Sequence, residues 1–118
     1  MFIERLERLA SRLDDVLAVS LVAADGIPVE TFPVRTQIDI ELLSAELMSQ
    51  VQSVDRNHVE LGVGLVRELT VTTEKVTVSV GAVSDGYFLL LVQRAGAGFG
   101  RARFELRRAG LDFERDLI

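Results

Sequence analysis

Residues 16–32 read VLAVSLVAADGIPVETF, and this stretch decides the fold. Its first nine residues, 16–24, are apolar or small on both alternating faces. Such a strand needs cover above and below, so it belongs inside a sheet with helices on both sides. Asp25-Gly26 follows, a dipeptide that tolerates positive φ in a tight hairpin turn. The return strand, 27–32, contains Pro28, which lacks a ladder N–H and so belongs at a sheet edge.

Upstream, Phe2, Leu6, Leu9 and Leu13 recur at spacings of four, three and four, the stripe of an amphipathic helix widened by Ile3 and Ala10. Downstream, residues 37–61 predict a long second helix. Thr36 and Asp39 form a capping box, or Asp39 is itself the cap. Ile40, Leu43, Leu47, Val51, Val54, His58 and Leu61 trace one apolar stripe, and Ile38, Leu42, Ala45 and Met48 a second beside it. A helix apolar over more than half its girth needs a burial partner beyond one sheet. Gly62 is a suitable stop.

Residues 65–73 (LVRELTVTT) and 75–83 (KVTVSVGAV) read as strands. The first, rich in Thr and carrying Arg67-Glu68, has a solvated face and reads as an edge. In the second, Val76, Val78 and Val80 face opposite to Lys75, Thr77 and Ser79. A turn at Ser84-Asp85-Gly86 leads to 87–93 (YFLLLVQ), a second strand apolar on both faces. Glycine-rich residues 95–100 then open a last helix with a buried stripe of Ala102, Leu106, Ala109, Phe113 and Leu117. Gly110 costs that helix about 1 kcal/mol relative to Ala and marks its weak point. The order is α-β-β-α-β-β-β-α, with strands one and five central and strands two and three outermost.

The 118 residues make one domain, 1–118, with 48 % hydrophobic and 26 % charged residues, the balance of a globular chain. The absence of cysteine removes disulfides, thiolate metal sites and thiol nucleophiles. Apolar runs are far shorter than the ~20 residues of a membrane span, and the charged first helix is unlike a signal peptide. A cytoplasmic protein is expected. The net charge of −5 disfavours nucleic-acid binding. From Arg94 onward, however, six Arg face four acids, and Arg101, Arg103, Arg107 and Arg108 crowd the last helix. They form either a solvated face or a docking patch for an acidic partner surface.

Catalytic signals are weak. His58 is the only histidine, lies on an apolar stripe, and has no cysteine or second histidine for a zinc site. In residues 96–100 (GAGFG), Arg101 stands where a dinucleotide fingerprint needs its third glycine, and no Gly-Lys-Ser/Thr follows. The stretch reads as a flexible lead-in rather than a phosphate cradle. Carboxylates such as Asp14-Asp15, or Glu114 with Asp116, fit solvated turns and a helix end. No catalytic residue, metal or cofactor is expected, so the chain reads as a non-enzyme.

Residues 17–32 (LAVSLVAADGIPVETF) resemble the first hairpin of Roadblock/dynein light chain domains, and a Leu- and Ala-rich helix follows at the expected place. Residues 85–110 (DGYFLLLVQRAGAGFGRARFELRRAG) resemble the last strand and helix of bacterial members. The resemblance implies an α+β fold, a five-stranded antiparallel sheet with one helix on one face and two on the other, as in profilin. It implies a homodimer built on the central helix and the following edge strand. The interface residues would be Ile40, Leu43, Leu47, Val51, Val54, Leu65, Leu69 and Val71, which agrees with the over-wide apolar helix and the edge-like strand. It further implies an adaptor or regulator that binds a Ras-like small GTPase, as the similar bacterial gliding-motility regulators do, with a role extending to GTPase activation. Two other readings stand beside it. One is a self-assembling adaptor with no GTPase partner; the other is a profilin- or PAS-like small-ligand sensor, which would need a sizeable interior cavity.

Overall fold

The two-faced strand sits where its sequence requires. The computed structural model describes residues 2–84 and 86–117, with backbone alone at Phe99 and Asp116. The expected turn at 84–86 and the Glu114–Asp116 pair therefore fall partly outside the described residues, at Asp85 and at the Asp116 side chain. The elements are α1 (Ile3–Ser11), β1 (Val16–Ala23), β2 (Pro28–Phe32), α2 (Ile40–Arg56), α3 (His58–Leu61), β3 (Glu68–Thr72), β4 (Val76–Ser84), β5 (Tyr87–Arg94) and α4 (Phe99–Leu117). The sheet runs β2-β1-β5-β4-β3, and every neighbouring pair is antiparallel. β2 and β3 are the edges, as Pro28 and the Thr-rich strand predict.

Alternation along β1 and β5 divides the core in two. Val19, Leu21, Leu89 and Leu91 face α1 and α4, where they meet Leu6, Leu9, Leu106 and Phe113. Ala18, Val22, Leu90 and Val92 face α2, where they meet Ile40, Leu47, Met48 and Val51. Each such Leu, Ile or Val contributes about 1.5–3 kcal/mol by leaving water. One helix therefore covers one sheet face and two cover the other, the α+β architecture expected. Phe2 stacks on Phe113 with ring centroids 5.6 Å apart, tying α1 to α4. Glu30 on β2 accepts the Phe2 N–H at 2.8 Å, which pins the start of α1 to the sheet edge and holds the Glu30 carboxyl below the usual range.

Local geometry departs from the sequence reading in three places. The first hairpin closes with Ala23 N–H donating to the Ile27 carbonyl at 3.0 Å, around a three-residue loop, 24–26. Of the Asp-Gly pair only Gly26 has positive φ, at 92°, the arrangement of a turn ending in a left-handed residue. A Cβ on Gly26 would stand 3.1 Å from the Ala45 Cα, so α2 can approach the hairpin only over a glycine. Secondly, the helix expected over 37–61 is α2 followed by the single turn α3, separated at Asn57. Asp39 is the cap, its Oδ1 accepting the Leu42 N–H at 3.0 Å, and left-handed Gly62 ends α3. Thirdly, β3 starts only at Glu68, so Leu65 and Arg67 belong to the connection before it. α4 runs through Gly110 without interruption.

Candidate partner-binding surfaces

The expected interface stripe divides once α2 has a phase. Ile40, Ser44, Leu47, Met48 and Val51 lie on the helix face turned to the sheet. Leu47 and Val51 are 5 % and 1 % exposed, and Ile40 is buried with them. These three are closed off by the protomer's own sheet, so the expectation that they meet a partner copy is corrected. Their stripe is in phase with Met48 rather than with the outer surface. Leu43 is half-buried at the rim of the same cluster, while Leu42 and Val54 are exposed. Leu42 belonged to the second stripe in the sequence reading and had no place among the interface residues.

β3 extends this surface. Its odd residues share the α2 side of the sheet through the pairs Leu69↔Val80 and Val71↔Val78. Val78 and Val80 are buried beneath α2, yet Leu69 is only partly covered and Val71 is exposed. α2 thus stops short of the edge strand. Beyond Val71 the outer backbone of β3 has no neighbouring strand among the described residues. Leu65, in the connection, is also exposed, as are Val59, Leu61 and Val63. The result is an apolar strip running from α2 through α3 to an open sheet edge. Asp55 accepts the Val66 N–H at 2.8 Å and fixes the connection against the end of α2.

α4 lies on the opposite sheet face, and the four arginines expected as a docking patch, Arg101, Arg103, Arg107 and Arg108, have partners within the protomer. Arg107 Nε donates to Glu68 Oε1 at 2.5 Å, and Arg103 Nε donates to Glu68 Oε2 at 3.1 Å. Arg107 foremost, with Arg103, holds the Glu68 carboxyl below the usual carboxylate range, and Glu68 in turn raises Arg107. Arg101 Nε donates to the Arg12 carbonyl at 3.0 Å. Arg108 stands 3.9 Å from Glu105, which Arg12 approaches at 3.8 Å from α1. Glu105 is buried with no hydrogen bond to Oε2, a position that the charge count gave no reason to place inside.

His58 is half-buried at the α2–α3 break, its Nδ1 2.6 Å from the Asp55 carbonyl oxygen. No cluster of three or more potential metal ligands occurs among the described residues. No described helix is long and apolar enough to cross a membrane. Three sizeable clefts, of about 720, 510 and 850 Å³, are open grooves at the surface. Between the sheet and the helices lie the two Leu- and Val-rich clusters.

No family model and no curated protein matches the chain. Solved structures do. MglC from Myxococcus xanthus is 30 % identical over 98 % of both chains, with a TM-score of 0.71. A Roadblock/LC7 domain from Streptomyces avermitilis superposes with a TM-score of 0.85 at 15 % identity, over 97 % of this chain and 95 % of that one. The gliding protein MglB of Thermus thermophilus gives 0.82 at 16 % identity, over 95 % of this chain and 84 % of that one.

Proposed function

Because the chain belongs to the Roadblock/LC7 family, we propose that it is a non-catalytic homodimer that binds and regulates a Ras-like small GTPase in the cytoplasm. The observation that carries the dimer is the half-covered edge strand: α2 shields Val78 and Val80 but leaves Val71 and the outer backbone of β3 open. A second copy related by a twofold axis satisfies both needs at once. Its β3 pairs with the open edge, and its α2 covers Leu69, Val71, Leu65, Leu42, Leu43 and Val54.

The GTPase partner is supported by the likeness to MglC across the whole chain and by the shared fold of a gliding protein. Regulation then consists of favouring one arrangement of the GTPase switch segments, since a contact shifts that equilibrium only by its difference in affinity for the two states. The chain's own residues supply a rigid two-copy platform rather than a reactive group. Calorimetric titration of the chain with a Ras-like GTPase encoded beside it, loaded with GDP and then with a GTP analogue, tests this reading. Binding that differs between the two states is the expected result. Absence of binding in both overturns the GTPase assignment and leaves a self-assembling adaptor.

A further inference from the structure

The open edge of β3 carries its own alignment marks. The Arg67 carbonyl accepts the Ala82 N–H, and the Thr73 N–H donates to the Val76 carbonyl, each at 2.8 Å. Antiparallel strands alternate between residues that exchange both bonds with a neighbour and residues turned away from it. With Leu69 opposite Val80 and Val71 opposite Val78, residues 67, 69, 71 and 73 are turned to β4. Glu68, Thr70 and Thr72 therefore present their N–H and C=O groups to the open side.

This row is held ready on the α4 side of the sheet. Arg103 and Arg107 grip Glu68, and Thr70 Oγ donates to Ser79 Oγ at 3.4 Å. Such prior ordering lowers the cost of pairing. The row also has a stop. Two residues before Glu68, the Val66 N–H is already taken by Asp55.

Resting on the dimer reading above, we propose that β3 pairs antiparallel with the β3 of a second copy, with the twofold axis at Thr70. Thr70 then bonds with the partner's Thr70, and Glu68 with the partner's Thr72. Leu69 lies opposite the partner's Val71, apolar against apolar on the α2 side. Turned on itself the row meets its own complement, which selects a second copy over an unrelated strand. Neighbouring symmetric registers place the axis at Val71 or Leu69. With the axis at Val71, Glu68 faces the partner's Glu74 and Arg67 the partner's Lys75. Like charges directly opposite are destabilising. With the axis at Leu69, Arg67 faces the partner's Val71, and the ladder calls on the Val66 N–H that Asp55 holds. The Thr70 axis has neither defect.

The chain has no cysteine, so one substitution gives one thiol per copy. Leu69→Cys and Val71→Cys are oxidised separately, and again after co-expression under different tags. In the proposed register residues 69 and 71 of opposite copies stand about 4.5 Å apart at Cα, within disulfide reach. Like positions lie on a diagonal of about 7–8 Å, outside it. A disulfide-linked dimer is expected in the co-expressed mixture and essentially none in either variant alone. Thr70→Cys, about 5.5 Å from its own copy, is expected to link to itself, a second reading outside the apolar strip. Self-linking by Leu69→Cys or Val71→Cys overturns the register. So does a dimer, seen by light scattering, that links neither in the mixture nor through Thr70→Cys; the dimer reading then stands without this alignment. A monomeric parent chain overturns both.

Discussion

Glu68 on the edge strand is held by Arg107 of α4: Nε donates to Oε1 at 2.5 Å and Nη2 to Oε2 at 3.3 Å. This pair ties the edge strand, whose outer side is open, to the helix on the opposite face from α2. The edge is thereby fixed in place without being covered.

That grip has a pH signature. Glu68 is lowered chiefly by Arg107, and Glu30 chiefly by the Phe2 N–H. A carboxyl with a lowered folded-state pKa contributes stability that is present above its unfolded value and lost as pH falls through the folded one. Thermal stability is therefore expected to decline below about pH 4.5, the ordinary carboxyl range. Glu68→Gln is expected to flatten part of that decline, as melting curves across pH 3–7 would show. An unchanged profile would mean that the clamp does not persist in solution.

Two glycines are expected to respond oppositely to alanine. Gly26→Ala meets both the left-handed φ and the Ala45 backbone, so a loss of about 1–3 kcal/mol follows. Gly110→Ala adds a methyl to a helix at ordinary contact distance, 3.9 Å, from the Ala82 carbonyl oxygen, and is expected to stabilise by about 0.5–1 kcal/mol. Urea denaturation measures both. Equal signs would contradict the assigned surroundings.

Substitutions along α2 separate core from surface. Leu47→Ala and Val51→Ala open cavities under the helix and are expected to cost about 1.5–4 kcal/mol. Leu42→Glu and Val54→Glu alter exposed positions, so the fold is expected to survive while self-association is lost. Denaturation and light scattering read the two effects separately.

The fold was legible wherever burial is two-sided. Strands 16–24 and 87–93 could only lie inside the sheet, and Pro28 could only lie at its edge. Asn57 was harder to read, because the apolar stripe continues through His58 and Leu61 while the backbone turns between them. The candidate surface was half legible. Spacing reveals the period of a helix but not its phase when apolar residues occupy most of its girth. Ser44, polar yet fully buried with an unpartnered hydroxyl, hid the core-facing side of α2, and Ile40, Leu47 and Val51 went with it. The arginines of α4 were visible as charge, but their partners at Glu68 and Glu105 are distant in sequence or inside the fold.

We propose that the open β3 edge and the strip from Leu42 to Val71 meet a second copy of the chain. Light scattering on the eluting protein measures this most directly. A mass twice the 13.0 kDa of one chain is expected, falling to that of one chain in folded Leu42→Glu/Val71→Glu. A parent protein that elutes as a folded monomer, or a double variant that remains a dimer, would contradict it.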